Sequence, residues 1–394
     1  MIVSPIERIR FDNGFSRLLY CFRNSKYQIL RRIIVITIAK PQIGQEEKDA
    51  VMEVMGSGMI ASGGVVSEFE KEFASYIGMQ HGIACTSGTT ALEIALRALG
   101  IGAGDKVVTT AYSFIASTNG IVYTGATPVF ADIDEKTFNI DPESAEECLK
   151  QNPDAKALLI VHLFGQPCNM DKLCALAKKY NVKLIEDCAQ AHGALWNDKK
   201  AGSFGDVSTF SFYPTKNMTT GEGGIVLTND EAVAEKARLI ENHGMKIRYT
   251  HDIIGHNYRM TNIAAAIGRE QLKKLDGFND LRRRNAACYN EEIQNKAVIV
   301  PYVDEHAKHV YHQYTIRVTE GKRDQLIKVF EENGIGYGIF YPFSIPEQPC
   351  YKEMNFKTAY PVTDRVKKEV LSIPVHPGIT EDEVKTVARV INSL

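Results

Sequence analysis

Residues 157–187 read ALLIVHLFGQPCNMDKLCALAKKYNVKLIED, a strand, a helix and a second strand in succession. Ala157-Leu158-Leu159-Ile160-Val161-His162 is an apolar strand with no polar alternation, so it has no wet face. Met170 to Tyr180 follows as a helix, and Val182-Lys183-Leu184-Ile185-Glu186-Asp187 is the next strand. The same alternation extends upstream. His81-Gly82-Ile83-Ala84-Cys85, Lys106-Val107-Val108-Thr109-Thr110 and Thr127 to Asp132 read as strands, with helices between them. Val207 to Phe212 and Ile225 to Thr228 add two more strands downstream. Strands alternating with helices predict an α/β domain with a mostly parallel sheet covered on both faces. In such sheets the loops after the strands carry the site.

Four features fall at or just after predicted strand ends. Ser87-Gly88-Thr89-Thr90 leads from a strand straight into the helix Ala91 to Leu99. A helix start with hydroxyls and free N–H groups can cup a phosphate, and there is no Walker lysine to suggest a nucleoside triphosphate. The same residues also read as a simple N-cap. Phe114 follows a second strand. Asp187 ends a third, where an acid serves as a helix cap, a metal ligand or the partner of a cationic ring nitrogen. Metal binding would want more carboxylates or histidines nearby, and only His192 is close in sequence; His162 reads as a hydrogen-bonded core residue. Lys216 stands in TFSFYPTKNMTTGEGG (209–224), on a loop among Ser211, Thr215, Asn217 and Thr219. A lysine held there, its pKa lowered by burial, can form a Schiff base; a surface lysine in a turn is the alternative.

The chain has 394 residues and a formal net charge of −2, which argues against a nucleic-acid protein. Its eight cysteines show no CxxC pair, so they read as reduced thiols of a cytoplasmic enzyme without a zinc site. No run reaches the about 18 apolar residues of a membrane span. Residues 1–36 differ from the rest, with seven basic side chains between Arg8 and Arg32 against Glu7 and Asp12, interleaved with aromatics. Such an arm can bind nucleic acid or a membrane surface; a translated leader or loosely ordered tail is the preferred reading.

Phosphate cup, aromatic, acid and lysine together ask for a planar, phosphorylated, protonatable pyridine aldehyde: pyridoxal 5'-phosphate (PLP). The chain resembles the DegT/DnrJ/EryC1/StrS family of sugar aminotransferases. The stretches that carry the resemblance are SGMIASGGVVSEFE, TSGTTALEIALRALGIGAGDKVVTTAYSFIAS, LIEDCAQAHGA, GDVSTFSFYPTKNMTTGEGG and GHNYRMTNIAAAIG, and it covers roughly residue 38 to the C-terminus. It implies PLP-dependent transferase fold type I, with a large α/β domain over 37–275 and a smaller α+β domain over 276–394. It implies that Lys216 forms the internal aldimine and that Asp187 keeps the pyridine nitrogen protonated. Gln190 would touch the ring's phenolic oxygen side and Phe114 would stack on the ring. Ser87, Gly88, Thr89, Thr90 and Ser211 would bind the phosphate, joined by Asn257 of the other subunit of a homodimer. Arg259 is a candidate for a substrate or donor carboxylate, with a structural arginine as the alternative. Tyr341 is placed near the substrate. Arg282-Arg283-Arg284 reads as a solvated helix face.

The implied reaction moves an amino group from glutamate or glutamine to a keto sugar, expected to be nucleotide-linked, with Lys216 as general base and acid. Two rivals stand beside it. A PLP-dependent sugar dehydratase would carry histidine in place of Lys216, and a PLP-binding regulatory or sensor protein would fit the basic arm. One departure concerns the substrate. In Phe343-Ser344-Ile345-Pro346-Glu347-Gln348-Pro349, Pro346 stands where the family usually has histidine, in a loop close to the sugar.

Overall fold

The computed structural model describes residues 36–394, so the basic arm lies, but for Ile36, outside the described residues. Ile36 itself is 6% exposed and pairs with Ile335, so the packed chain begins at least one residue before the expected boundary.

Seven strands build the main sheet: β1 (His81–Cys85), β2 (Lys106–Thr110), β3 (Thr127–Ala131), β4 (Ala157–Val161), β5 (Lys183–Asp187), β6 (Val207–Ser211) and β7 (Gly224–Thr228). Their order is β1-β7-β6-β5-β4-β2-β3. The pairs from β3 through β6 are all parallel, and β7 alone runs against its neighbours β6 and β1. The loop between β6 and β7 contains no crossover helix, which is what an antiparallel return requires.

The apolar strand β4 shows why both faces are covered. Successive side chains of a strand point to opposite faces. Ala157, Leu159 and Val161 join one core with Leu92, Leu96 and Ile121. Leu158 and Ile160 join another with Ala145, Leu149, Leu173 and Leu176. After α1 (Gln45–Ser57) and α2 (Gly64–Ile77), these partners come from α3 (Gly88–Ala98) and α4 (Ala116–Tyr123) on one side, and from α5 (Pro142–Gln151) and α6 (Met170–Tyr180) on the other.

A third core gathers around the three-stranded sheet Val298–Ile299, Tyr314–Val318 and Val370–Ile373, with helices Arg323–Asn333 and Glu381–Asn392. A long helix, which we call αL (Asn262–Glu292), contributes to the sheet-side core through Ala265 and Leu275, and to this third core through Ala286 and Tyr289. It crosses the expected boundary at 275/276 without a break. The expected solvated face at 282–284 needs correction: Arg282 is only 5% exposed and donates from Nη1 to the carbonyls of Tyr311 and His312. Consecutive helical residues are about 100° apart, so the run spreads over about 200° of the helix, and Arg282 falls on the side that packs against residues 311–312 while Arg284 is exposed.

Candidate active site

Because β7 is the only reversed strand, β1, β2, β4, β5 and β6 all end at one edge of the sheet, where β7 begins. Gly224 sits opposite both Ser211 and Cys85. A Cβ on Gly224 would come within 2.3 Å of the Ser87 carbonyl oxygen, and one on Gly88 within 2.6 Å of Ser211 Cβ. Two glycines thus let the start of α3 settle against Ser211. Ser87 caps α3 by accepting from Thr90 N–H at 3.1 Å, while Thr90 Oγ1 accepts from Ser87 N–H at 3.0 Å. The cap and the cup are therefore compatible. The capping takes the Thr90 donor and leaves the first-turn N–H groups of Gly88 and Thr89 without an intrahelical partner, at the positive end of the helix dipole.

Asp187 ends β5 and is 4% exposed. Its Oδ2 accepts from Ser117 Oγ at 2.7 Å, and its Oδ1 from Ala189 N–H at 3.0 Å. Burial raises its pKa; those two donors and the charge of Lys216 oppose the rise. Lys216 closes a turn by donating its N–H to Tyr213 O at 2.9 Å. Burial lowers the Lys216 pKa to about 8, against the pull of Asp187. The two groups sense each other's charge, and each is held away from its ordinary value mainly by desolvation.

Gln190 is 5% exposed. Its Oε1 accepts from Phe164 N–H at 2.7 Å, and its Nε2 donates to the Tyr341 hydroxyl at 3.3 Å. Tyr341 is fixed through its backbone: the Tyr112 hydroxyl accepts its N–H at 2.6 Å and donates to its carbonyl at 3.0 Å. The Phe114 ring is half exposed, 5.9 Å from the Tyr341 ring. Ser87 to Thr90, Ser211, Asp187, Gln190, Phe114 and Tyr341 are thus joined by strand register or by contact along one edge. Pro346 is buried in the short turn Ile345–Glu347, tied to the same edge by Ile345 N–H donating to Ala111 O.

The motif at 255–259 comes alongside the strand end, with Thr86 N–H donating to Tyr258 O at 2.8 Å. Asn257 is exposed there. Arg259 donates to Asn242 Oδ1 at 2.6 Å, a bond within the chain that favours the structural alternative for it.

His162 is fully buried and hydrogen-bonded. Its Nδ1 accepts from Cys168 N–H, so Nε2 carries the proton and donates to Glu186 at 3.0 Å. Glu186 also accepts from the N–H groups of Gly202, Phe204 and Gly205. Cys188 lies close enough to complete a three-ligand cluster with them. The carboxylate is already satisfied, which fits a structural pair better than a metal centre. Sequence reasoning gave no role to Ser117, Tyr112 or Asn279, and read Asn217 only as a polar neighbour of Lys216 that could position an anion or a ring. Each is a short polar or aromatic residue whose partner lies far away in sequence, and spacing carries no signal for that.

Residues 41–392 match the DegT/DnrJ/EryC1/StrS aminotransferase family. The chain is 41% identical over 374 residues to GDP-perosamine synthase of Caulobacter vibrioides, covering 91% of this chain and 98% of that one. It is 40% identical over 349 residues to dTDP-3-amino-3,6-dideoxy-alpha-D-galactopyranose transaminase of Aneurinibacillus thermoaerophilus, covering 88% and 95%. The crystal structure of S. venezuelae DesV in complex with a ketimine intermediate superposes with a TM-score of 0.85 at 34% identity, covering 89% of this chain and 94% of that one. The fold is that of a fold type I aminotransferase. The chain belongs to the DegT/DnrJ/EryC1/StrS aminotransferase family.

Proposed function

We propose that this enzyme uses PLP to move an amino group from glutamate or glutamine to a nucleotide-linked keto sugar. The observation that carries the reading is the single sheet edge that gathers an anion cup, a buried acid and a lysine of lowered pKa. These groups fit a flat ring bearing a phosphate at one end, a basic nitrogen at the other and an aldehyde between. The Gly88 and Thr89 N–H groups and the Ser211 hydroxyl would hold the phosphate. Asp187 would face the ring nitrogen, and a cation there offsets the burial that raises its pKa. Phe114 would cover the ring, with Gln190 and Tyr341 at its edge. When bound, PLP supplies an electron sink and an acceptor for the amino group.

The chain's own part is proton handling and positioning. With a pKa of about 8, the Lys216 amine is available both to take and to return a proton near neutral pH. Relatives named for GDP- and dTDP-linked sugars support a nucleotide-linked acceptor. Pro346 puts no imidazole where the family's histidine would stand, so the sugar on that side would be held without it. A homodimer is supported by the apolar surface beside Asn257: Ile254 is 94% exposed and Tyr249 76%. Asn257, which the resemblance assigns to the partner's phosphate, is exposed in the same segment. No helix among the described residues is long and apolar enough to cross a membrane.

Lys216→Ala tests the assignment. Turnover of amino donor and keto sugar is expected to fall to background while the folded protein still binds pyridoxamine phosphate. Turnover well above background in that variant contradicts it.

A further inference from the structure

Asp187 is the last residue of β5 and pairs with Thr209 of β6, whereas Lys216 stands in the loop after β6, so where the lysine stands relative to the acid depends on what holds that loop. The residue after the lysine, Asn217, is 3% exposed. Its Nδ2 donates to Asn279 Oδ1 at 2.8 Å and to Val310 O at 3.0 Å. Its Oδ1 accepts from His312 Nδ1 at 3.2 Å. The side-chain amide is therefore engaged at both ends.

Asn279, on αL, is 1% exposed and donates its own Nδ2 to His192 O at 2.8 Å. His192 belongs to the segment that leaves Asp187 and passes Gln190. One asparagine thus bridges the loop of the lysine and the segment that follows the acid. Two further observations show that the bridge is built in. Gly193 has φ +78°, and a Cβ there would lie 3.0 Å from Asn279 Nδ2 and 2.5 Å from the Tyr76 hydroxyl, so the close approach needs glycine. Arg282, one turn along the same helix, holds the carbonyls of Tyr311 and His312 and so fixes the imidazole that meets Asn217.

We infer that Asn279 is a positioning residue, which through Asn217 sets where the Lys216 amine stands relative to Asp187. It touches neither substrate nor the reacting amine. Buried amides with all their partners in place specify one arrangement and lose it when a partner is removed. Without the bridge the lysine loop relaxes toward water and the amine regains ordinary lysine character.

The inference rests on Lys216 being the working amine, and the test reads that amine without cofactor or substrate. The rate of Lys216 acylation in the cofactor-free protein is followed against pH by peptide mass spectrometry. Asn279→Ala and Asn217→Ala are each expected to raise the pH midpoint by about one unit, a roughly tenfold loss of free amine near neutral pH. The double variant is expected to shift no further than either single one, because both remove one connection. A folded Asn279→Ala protein with a wild-type midpoint overturns the inference, even if its thermal stability falls. If Asn279→Ala does not fold, Asn279→Ser carries the same two outcomes. A failed cofactor assignment would show instead in the absorbance spectrum and leave these midpoints readable.

Discussion

Lys216 and Asp187 show how one environment tunes two opposite charges. Desolvation disfavours the charged form of each, which moves the lysine down and the carboxyl up. The acid is kept usable by its donors, and Ser117 is the one that a substitution can remove cleanly. In Ser117→Ala the carboxyl rises further, because a hydrogen bond to the charged form is lost. The acid limb of kcat/KM against pH is therefore expected to move up by about one unit, with activity on that limb down about tenfold. An unmoved limb would show that Ser117 does not tune the acid. Ser117 was invisible in the sequence because a serine inside a helix reads as an exposed polar residue, and its partner is 70 positions away. Lys216, Asp187 and Phe114 were legible because each stands out chemically at a strand end, where a parallel sheet places its site.

At the scale of elements, the strand–cup–helix unit depends on how closely α3 approaches Ser211. Gly88→Ala inserts a methyl 2.6 Å from Ser211 Cβ, and backbone on one side and a helix start on the other leave it little room. We expect the affinity for PLP to drop by at least tenfold, measured by equilibrium dialysis, with a smaller loss of thermal stability. Unchanged affinity would remove the Ser87–Thr90 turn from the phosphate site. The glycine's presence was plain in Ser-Gly-Thr-Thr, but its reason was not, because the neighbour it must admit comes from β6, more than 100 residues later. The long helix was misjudged differently. Its arginine run was read by charge alone, whereas packing on one side turns Arg282 inward and lowers its pKa to about 10 by burial. The expected boundary at 275/276 falls inside the same helix because apolar periodicity does not reveal that one helix serves two cores.

For the whole molecule, buried histidines set the response to acid. His192 lies among Phe73, Phe210 and Phe212, its ring 5.3 Å from that of Phe210. Burial lowers its pKa to about 3, and that of His309 to about 3 as well. In the folded protein these rings stay neutral, while in the unfolded chain they protonate near pH 6.5. The unfolded state therefore binds more protons between about pH 6.5 and 3, and stability falls as pH drops through that window. His192→Phe keeps aromatic packing and removes one such group. Urea midpoints at pH 7 and pH 5 are expected to show a loss smaller than wild type by about 2 kcal/mol. An identical loss would mean that His192 is not held neutral. At this scale the α/β architecture was readable because alternate residues of β4 feed two cores, which forces a strand apolar on both faces. The proposed second subunit was not readable, since exposed apolar residues such as Ile254 carry no label for a partner.

In the proposed function Lys216 carries PLP and exchanges it with an amino donor. The most direct measurement is the absorbance spectrum of the purified protein, reconstituted with PLP, before and after adding L-glutamate and then L-glutamine. A visible band of lysine-bound cofactor is expected, lost with either donor as the pyridoxamine form appears, and absent in Lys216→Ala. A wild-type protein that forms no such band with added PLP, or a band that no amino donor changes, contradicts it.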